Sequence, residues 1–159
     1  MSEQDYVVQK TTLSYTGSLD VKELYSLIKN WLNDRGFYII EKEHHGKAGE
    51  TKSLKTKWQA EKKAEEYTKY VIKVKIKASD LKETNKAKYH SGDYQVEVES
   101  YLEKDYEDKF ENKPMLKFFR GFYEKFVEKS RFSKYEEDLR QLTTSLLNEL
   151  KSFFNLAKF

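Results

Sequence analysis

Cysteine is absent from this chain, which excludes a disulfide framework, a thiolate metal site and a cysteine nucleophile. Glycine and proline are scarce as well, six and one among 159 residues. With so little glycine a backbone cradle for a nucleotide phosphate is not expected, and no GxSxG, P-loop or GxGxxG pattern occurs. No apolar run approaches the roughly 18 residues that a membrane helix needs. The opening Met1-Ser2-Glu3-Gln4-Asp5 is acidic where a signal peptide would carry positive charge. Those absences lead to the expectation of a cytoplasmic chain without a transmembrane segment, not an enzyme, and with no cofactor.

What is present is charge and aromatic surface. Charged residues make up 36% of the chain and aromatics 15%, with 12 Tyr and 10 Phe, too much ring surface for a disordered segment. The length suits a single α+β domain spanning 1–159. The lysine and glutamate content is a balance common in proteins from hot environments.

The segment from Tyr6 to Tyr15 reads as a strand ending at Gly17. Asp20 and Glu23 have capping-box spacing, and Leu24, Leu27, Ile28, Trp31 and Leu32 recur at helical intervals up to Gly36, which predicts a helix. A strand is predicted at 37–45, which opens on the short apolar run Phe37-Tyr38-Ile39-Ile40, and strands at 54–60 and 70–78 with a hairpin between, and at 94–102, since apolar residues alternate there. Pro114 suits a helix start, and Leu116, Phe118, Phe119, Phe122, Tyr123 and Phe126 give the helix 115–127 an unusually wide aromatic face. Ser133 and Glu136 have the spacing to cap a last helix carrying Tyr135, Leu139, Leu142, Leu146, Leu150 and Phe153. The expected architecture is an antiparallel sheet of about five strands packed against an N-terminal helix and two C-terminal helices.

Residues 41–90 hold fourteen lysines against eight acids, and residues 91–112 hold eight acids against two lysines. If the strands at 70–78 and 94–102 pair, Lys69, Lys73, Lys75 and Lys77 share a face with Glu97, Glu99 and Glu103 and neutralise it. A phosphate-binding lysine stripe would require these strands to lie apart, because it needs unpaired cations. Lys52, Lys55 and Lys57, on the preceding strand, are less obviously paired and keep a nucleic-acid or ribosome partner open, through Lys55, Lys57, Lys73, Lys75 and Lys77.

His44 and His45 are adjacent on a strand, so their rings point to opposite faces and no metal site is expected from them. Asp105, Glu107, Asp108 and Glu111 precede Pro114, where acids complement a helix N-terminus. Asp80 reads as a turn residue with a secondary reading as an acid or base.

The order of elements resembles the helix-grip fold of START-like lipid and small-ligand carriers: an opening strand, a helical segment, an antiparallel run and a long C-terminal helix at 134–158. It departs from that pattern in having one helix after the first strand, fewer strands and an extra helix at 115–129. The resemblance implies a cavity between the sheet and the last helix, lined by Trp58, Tyr70, Tyr94, Phe122 and Phe126. The leading expectation is thus a non-enzymatic domain that holds an apolar small molecule or lipid. A protein partner or homo-oligomer docking on the stripe at 115–127 comes second, and nucleic acid ranks behind both.

Overall fold

The computed structural model describes residues 3–47, 49, 52–104 and 129–158. Its elements run β1 (Glu3–Leu19), α1 (Val21–Asp34), β2 (Tyr38–Lys47), β3 (Lys52–Lys63), β4 (Thr68–Glu83), β5 (His90–Lys104) and α2 (Lys129–Ala157). The five strands form one antiparallel sheet in the order β1-β5-β4-β3-β2. An α+β architecture built on five antiparallel strands is the one expected from the alternating runs. The helix expected at 115–127, with Phe122 and Phe126, and the acidic cluster at 105–111 lie outside the described residues.

Alternation places the core on one face. Trp58, Ala60, Ile72, Val74, Ile76, Tyr94, Val96, Val98 and Leu102 point inward with Tyr15 and Leu19, and they meet Leu24, Ile28, Trp31 and Leu32 of α1 and Leu139, Leu146, Leu150 and Phe154 of α2. Helix α1 lies near β2, while α2 lies across β1 and β5. A buried clasp holds α2 in place: the Thr143 and Ser100 hydroxyls are 2.8 Å apart, and Thr143 also reaches the Leu139 carbonyl at 2.7 Å. At the other end of α2 the Tyr15 hydroxyl donates toward the Ala157 carbonyl at 3.0 Å, and the Tyr15 ring stacks on Phe154.

Helix α1 starts and stops where its sequence signals stand. The Asp20 carboxylate accepts from the Lys22 amide at 2.9 Å, and Gly36, at φ 81°, follows the last turn.

Two boundaries differ from expectation. Strand β1 continues through Gly17, which sits directly opposite Gly92. A Cβ on Gly92 would come within 2.7 Å of the Ser79 carbonyl oxygen, so its glycine admits the β4 bulge between Ser79 and Lys82. Helix α2 already includes Lys129, the first described residue of this stretch, leaving Ser133 inside the helix. A serine there costs only a few tenths of a kcal/mol, which the burial of the leucines of α2 outweighs.

Candidate functional site

The face of the sheet turned away from both helices is built by the alternate residues of the same strands. Successive registers lay them out as rows that cross the sheet. One row is Ser14, Gln95, Lys77, Lys55, His45; the next is Thr12, Glu97, Lys75, Lys57, Glu43. Further along, Glu99, Lys73, Gln59 and Ile40 share a row, followed by Tyr6, Tyr101, Val71, Glu61 and Tyr38.

The β4 and β5 strands are neighbours, with Lys69 opposite Glu103, Lys73 opposite Glu99 and Lys75 opposite Glu97. That juxtaposition alone points to a neutralised face, but two features undo much of it. Compensation weakens along the ladder: Lys69 lies 3.1 Å from both Glu103 and Glu61, Lys75 lies only at 4.0 Å from Glu97, and Lys77 faces uncharged Gln95. On the other side of β4, moreover, lysine meets lysine, with Lys75 directly opposite Lys57 and Lys77 directly opposite Lys55. The Lys–Glu pairing expected of these two strands is present, and Lys55 and Lys57 share the carboxylate of Glu43. Strands that pair Lys with Glu on one side still carry surplus cations when the third strand adds lysines on the other.

The carboxylates present are shared. Glu43 receives Lys57 at 3.1 Å, Lys55 at 3.5 Å and the His45 ring at 3.0 Å. Glu97 lies between Lys75 and Lys10, the latter at 3.9 Å. Lys42 and Lys77 have no carboxylate partner among the described residues.

Electrostatics register the crowding. Desolvation, and then the neighbouring Lys77 ammonium, hold the Lys75 ammonium below the usual lysine range against the opposing pull of Glu97. The hydrogen bond from Lys57, joined by the charges of Lys55 and Lys57, holds the Glu43 carboxyl below the usual carboxylate range. Lys69 is the contrast. Desolvation works to lower it, but the hydrogen bonds to Glu103 and Glu61 prevail and raise it.

Two grooves open on this face. One, of about 350 Å³, is lined by Lys10, Lys42, Lys57, Lys73 and Lys75 with Glu97 and Glu99. The other, of about 480 Å³, is lined by Lys47, Lys55 and Lys77 with Asp93. Together they present eight lysines and three acids.

The aromatic residues expected to line a pocket occupy separate parts of the interior. Trp58 is 3% exposed and meets Tyr25 edge-on, Tyr70 meets Tyr135 edge-on, and Tyr94, 1% exposed, lies against Tyr15. Burial pushes the Tyr70 and Tyr94 phenols up to about 12.

His44 and His45 diverge as expected: His44 Nδ1 meets the buried Thr56 hydroxyl at 2.9 Å, which also meets the Tyr25 hydroxyl at 2.7 Å, while His45 turns outward to Glu43. Asp80 adopts φ 53° in the β4 bulge. Among the described residues no cluster of His, Asp and Glu is arranged to hold a metal, and no helix is long and apolar enough to cross a membrane.

Sequence reasoning identified Lys55, Lys57, Lys73, Lys75 and Lys77 but missed Lys10 and Lys42. Lys10 lies among the register shifts of β1 and Lys42 at the bulge of β2, and bulges re-aim side chains in a way that strict alternation does not capture. No protein-family model matches the chain, and no curated protein matches it in sequence.

Proposed function

We propose that this chain is a non-enzymatic binding domain whose outer sheet face takes the phosphate backbone of RNA. The observation that carries the reading is the lysine-on-lysine ladder between β3 and β4, Lys55 opposite Lys77 and Lys57 opposite Lys75. Like charges directly opposite one another destabilise a sheet, and an anion laid over them removes that penalty while releasing counterions. The flanking Lys10, Lys42 and Lys73 extend the same groove across the sheet.

The interior aromatics, which prompted the apolar-ligand expectation, each have a ring neighbour that accounts for their burial without a ligand. We also propose that the fold is helix-grip-like. The first and last strands are neighbours and the long C-terminal helix packs on the same face as α1, which supports that reading. A shared fold does not settle what is bound.

The test is fluorescence anisotropy with a labelled single-stranded RNA of about 12 nucleotides, within the range such surfaces cover, at low ionic strength. Saturable binding that is lost in Lys57→Gln/Lys75→Gln, with thermal stability retained, supports the proposal. Absence of RNA binding refutes it, and so does binding to phosphatidylserine vesicles in place of RNA.

A further inference from the structure

We infer that the RNA backbone lies along the strands and not across them, following the seam between β3 and β4, with successive phosphates at Lys55 and Lys77, at Lys57 and Lys75, and at Lys73. This rests on the RNA reading and deepens it, because a cationic face by itself sets no direction for the chain it binds.

The direction follows from where the acids stand. The three carboxylates that line the two grooves, Glu97, Glu99 and Asp93, are all on β5, while β3 and β4 contribute only lysines and uncharged residues to both. On the other side of the seam β2 adds Lys42 and Lys47. A chain crossing the sheet along the row from Thr12 meets Glu97 before it reaches Lys75 and Lys57, and it leaves over Glu43. Lys10, the groove lysine that lies beyond β5, is itself 3.9 Å from Glu97. A chain on the seam meets no carboxylate on either of its two strands until Glu61.

The step along the seam is set by the strands. Residues on one face recur every second position, about 7 Å apart at about 3.4 Å per residue, a distance that one nucleotide of an extended chain can span. Lys55 and Lys77, Lys57 and Lys75, and Gln59 and Lys73 are directly opposed at three such successive levels. The first level lines one groove and the other two line its neighbour, so a chain on the seam joins the two. Past the third level the seam closes. Val71 is fully buried there, and Lys69 is 3.1 Å from both Glu61 and Glu103.

The third level has its lysine on β4 alone, so Gln59→Lys extends the seam by one cation. In the anisotropy assay with the same labelled RNA, Gln59→Lys should tighten binding. It should also steepen the fall of log affinity with log salt by about 0.7, one added phosphate contact on a single strand. Thr12→Lys adds the same charge to the same face, at the exposed end of the transverse row and beyond Glu97, and should leave the slope as in the parent. Should Gln59→Lys lower the melting temperature enough to obscure binding, Lys73→Gln makes the test in reverse, with a slope shallower by about 0.7. If Thr12→Lys steepens the slope as much as Gln59→Lys, or if neither seam variant changes it, the path along the seam is overturned. The RNA reading then stands as long as Lys57→Gln/Lys75→Gln loses binding. If the parent binds no RNA, both fall.

Discussion

Lys77→Gln is expected to make the RNA-free protein more stable, an unusual outcome for a substitution in the middle of a sheet. Lys77 faces Lys55 across the ladder, lies beside Lys75 on its own strand and has no carboxylate partner among the described residues. Two ammonium groups about 5 Å apart in water repel by about 0.8 kcal/mol, and physiological salt screens that to roughly half. Relief from two such neighbours is about 1 kcal/mol, or about 2–4 °C in melting temperature for a chain of this size. At 1 M salt, where the screening length is about 3 Å, the gain should shrink to a few tenths of a kcal/mol. Thermal denaturation of parent and variant at low and high sodium chloride measures both. A variant that melts lower than the parent, or a gain independent of salt, would refute the reasoning that Lys77 is uncompensated. The same variant should bind RNA more weakly, so stability and binding move in opposite directions.

Other consequences are checked by ordinary denaturation. Thr56→Val removes the buried hydroxyl shared by Tyr25 and His44 and should cost about 1–3 kcal/mol in urea unfolding, because the Tyr25 hydroxyl loses its partner. Gly92→Ala drives a methyl against the Ser79 carbonyl and the Leu81 side chain and should cost about 1–3 kcal/mol or more, whereas an unaffected midpoint would show that the bulge relaxes freely. Alkaline pH should unfold the protein cooperatively. Because the Tyr70 and Tyr94 phenols are raised to about 12 in the fold, the folded state holds its protons more tightly than the unfolded chain. Their contribution is fully present below about pH 10 and lost between about pH 10 and 12, roughly 2–3 kcal/mol each; Tyr70→Phe should remove its share of that slope.

Legibility in the sequence followed the physics of each signal. Alternation within a strand is local, so the inward set Tyr70, Ile72, Val74 and Ile76 and the outward set Lys69, Lys73, Lys75 and Lys77 could be read directly. So could the pairing of the latter with Glu97, Glu99 and Glu103, because two charge-complementary strands define their own register. The β3–β4 register is a different matter. It sets Lys55 against Lys77, and no charge rule would choose that pairing. It is imposed by the opposite face, where Thr56, Trp58 and Ala60 must meet Ile76, Val74 and Ile72. A one-residue slip would turn those apolar side chains to water. The extension of β1 past Gly17 was hidden because glycine there is a pairing residue opposite Gly92, while by itself it signals a turn.

The most direct test of the account is the salt dependence of RNA affinity. Engagement of about four groove lysines predicts that the logarithm of the binding constant falls linearly with the logarithm of salt with a slope of about −3, and that Lys55→Gln/Lys77→Gln makes it shallower by about 1.4. A slope near zero, or one that the double variant leaves unchanged, would contradict the claim that this face holds the backbone.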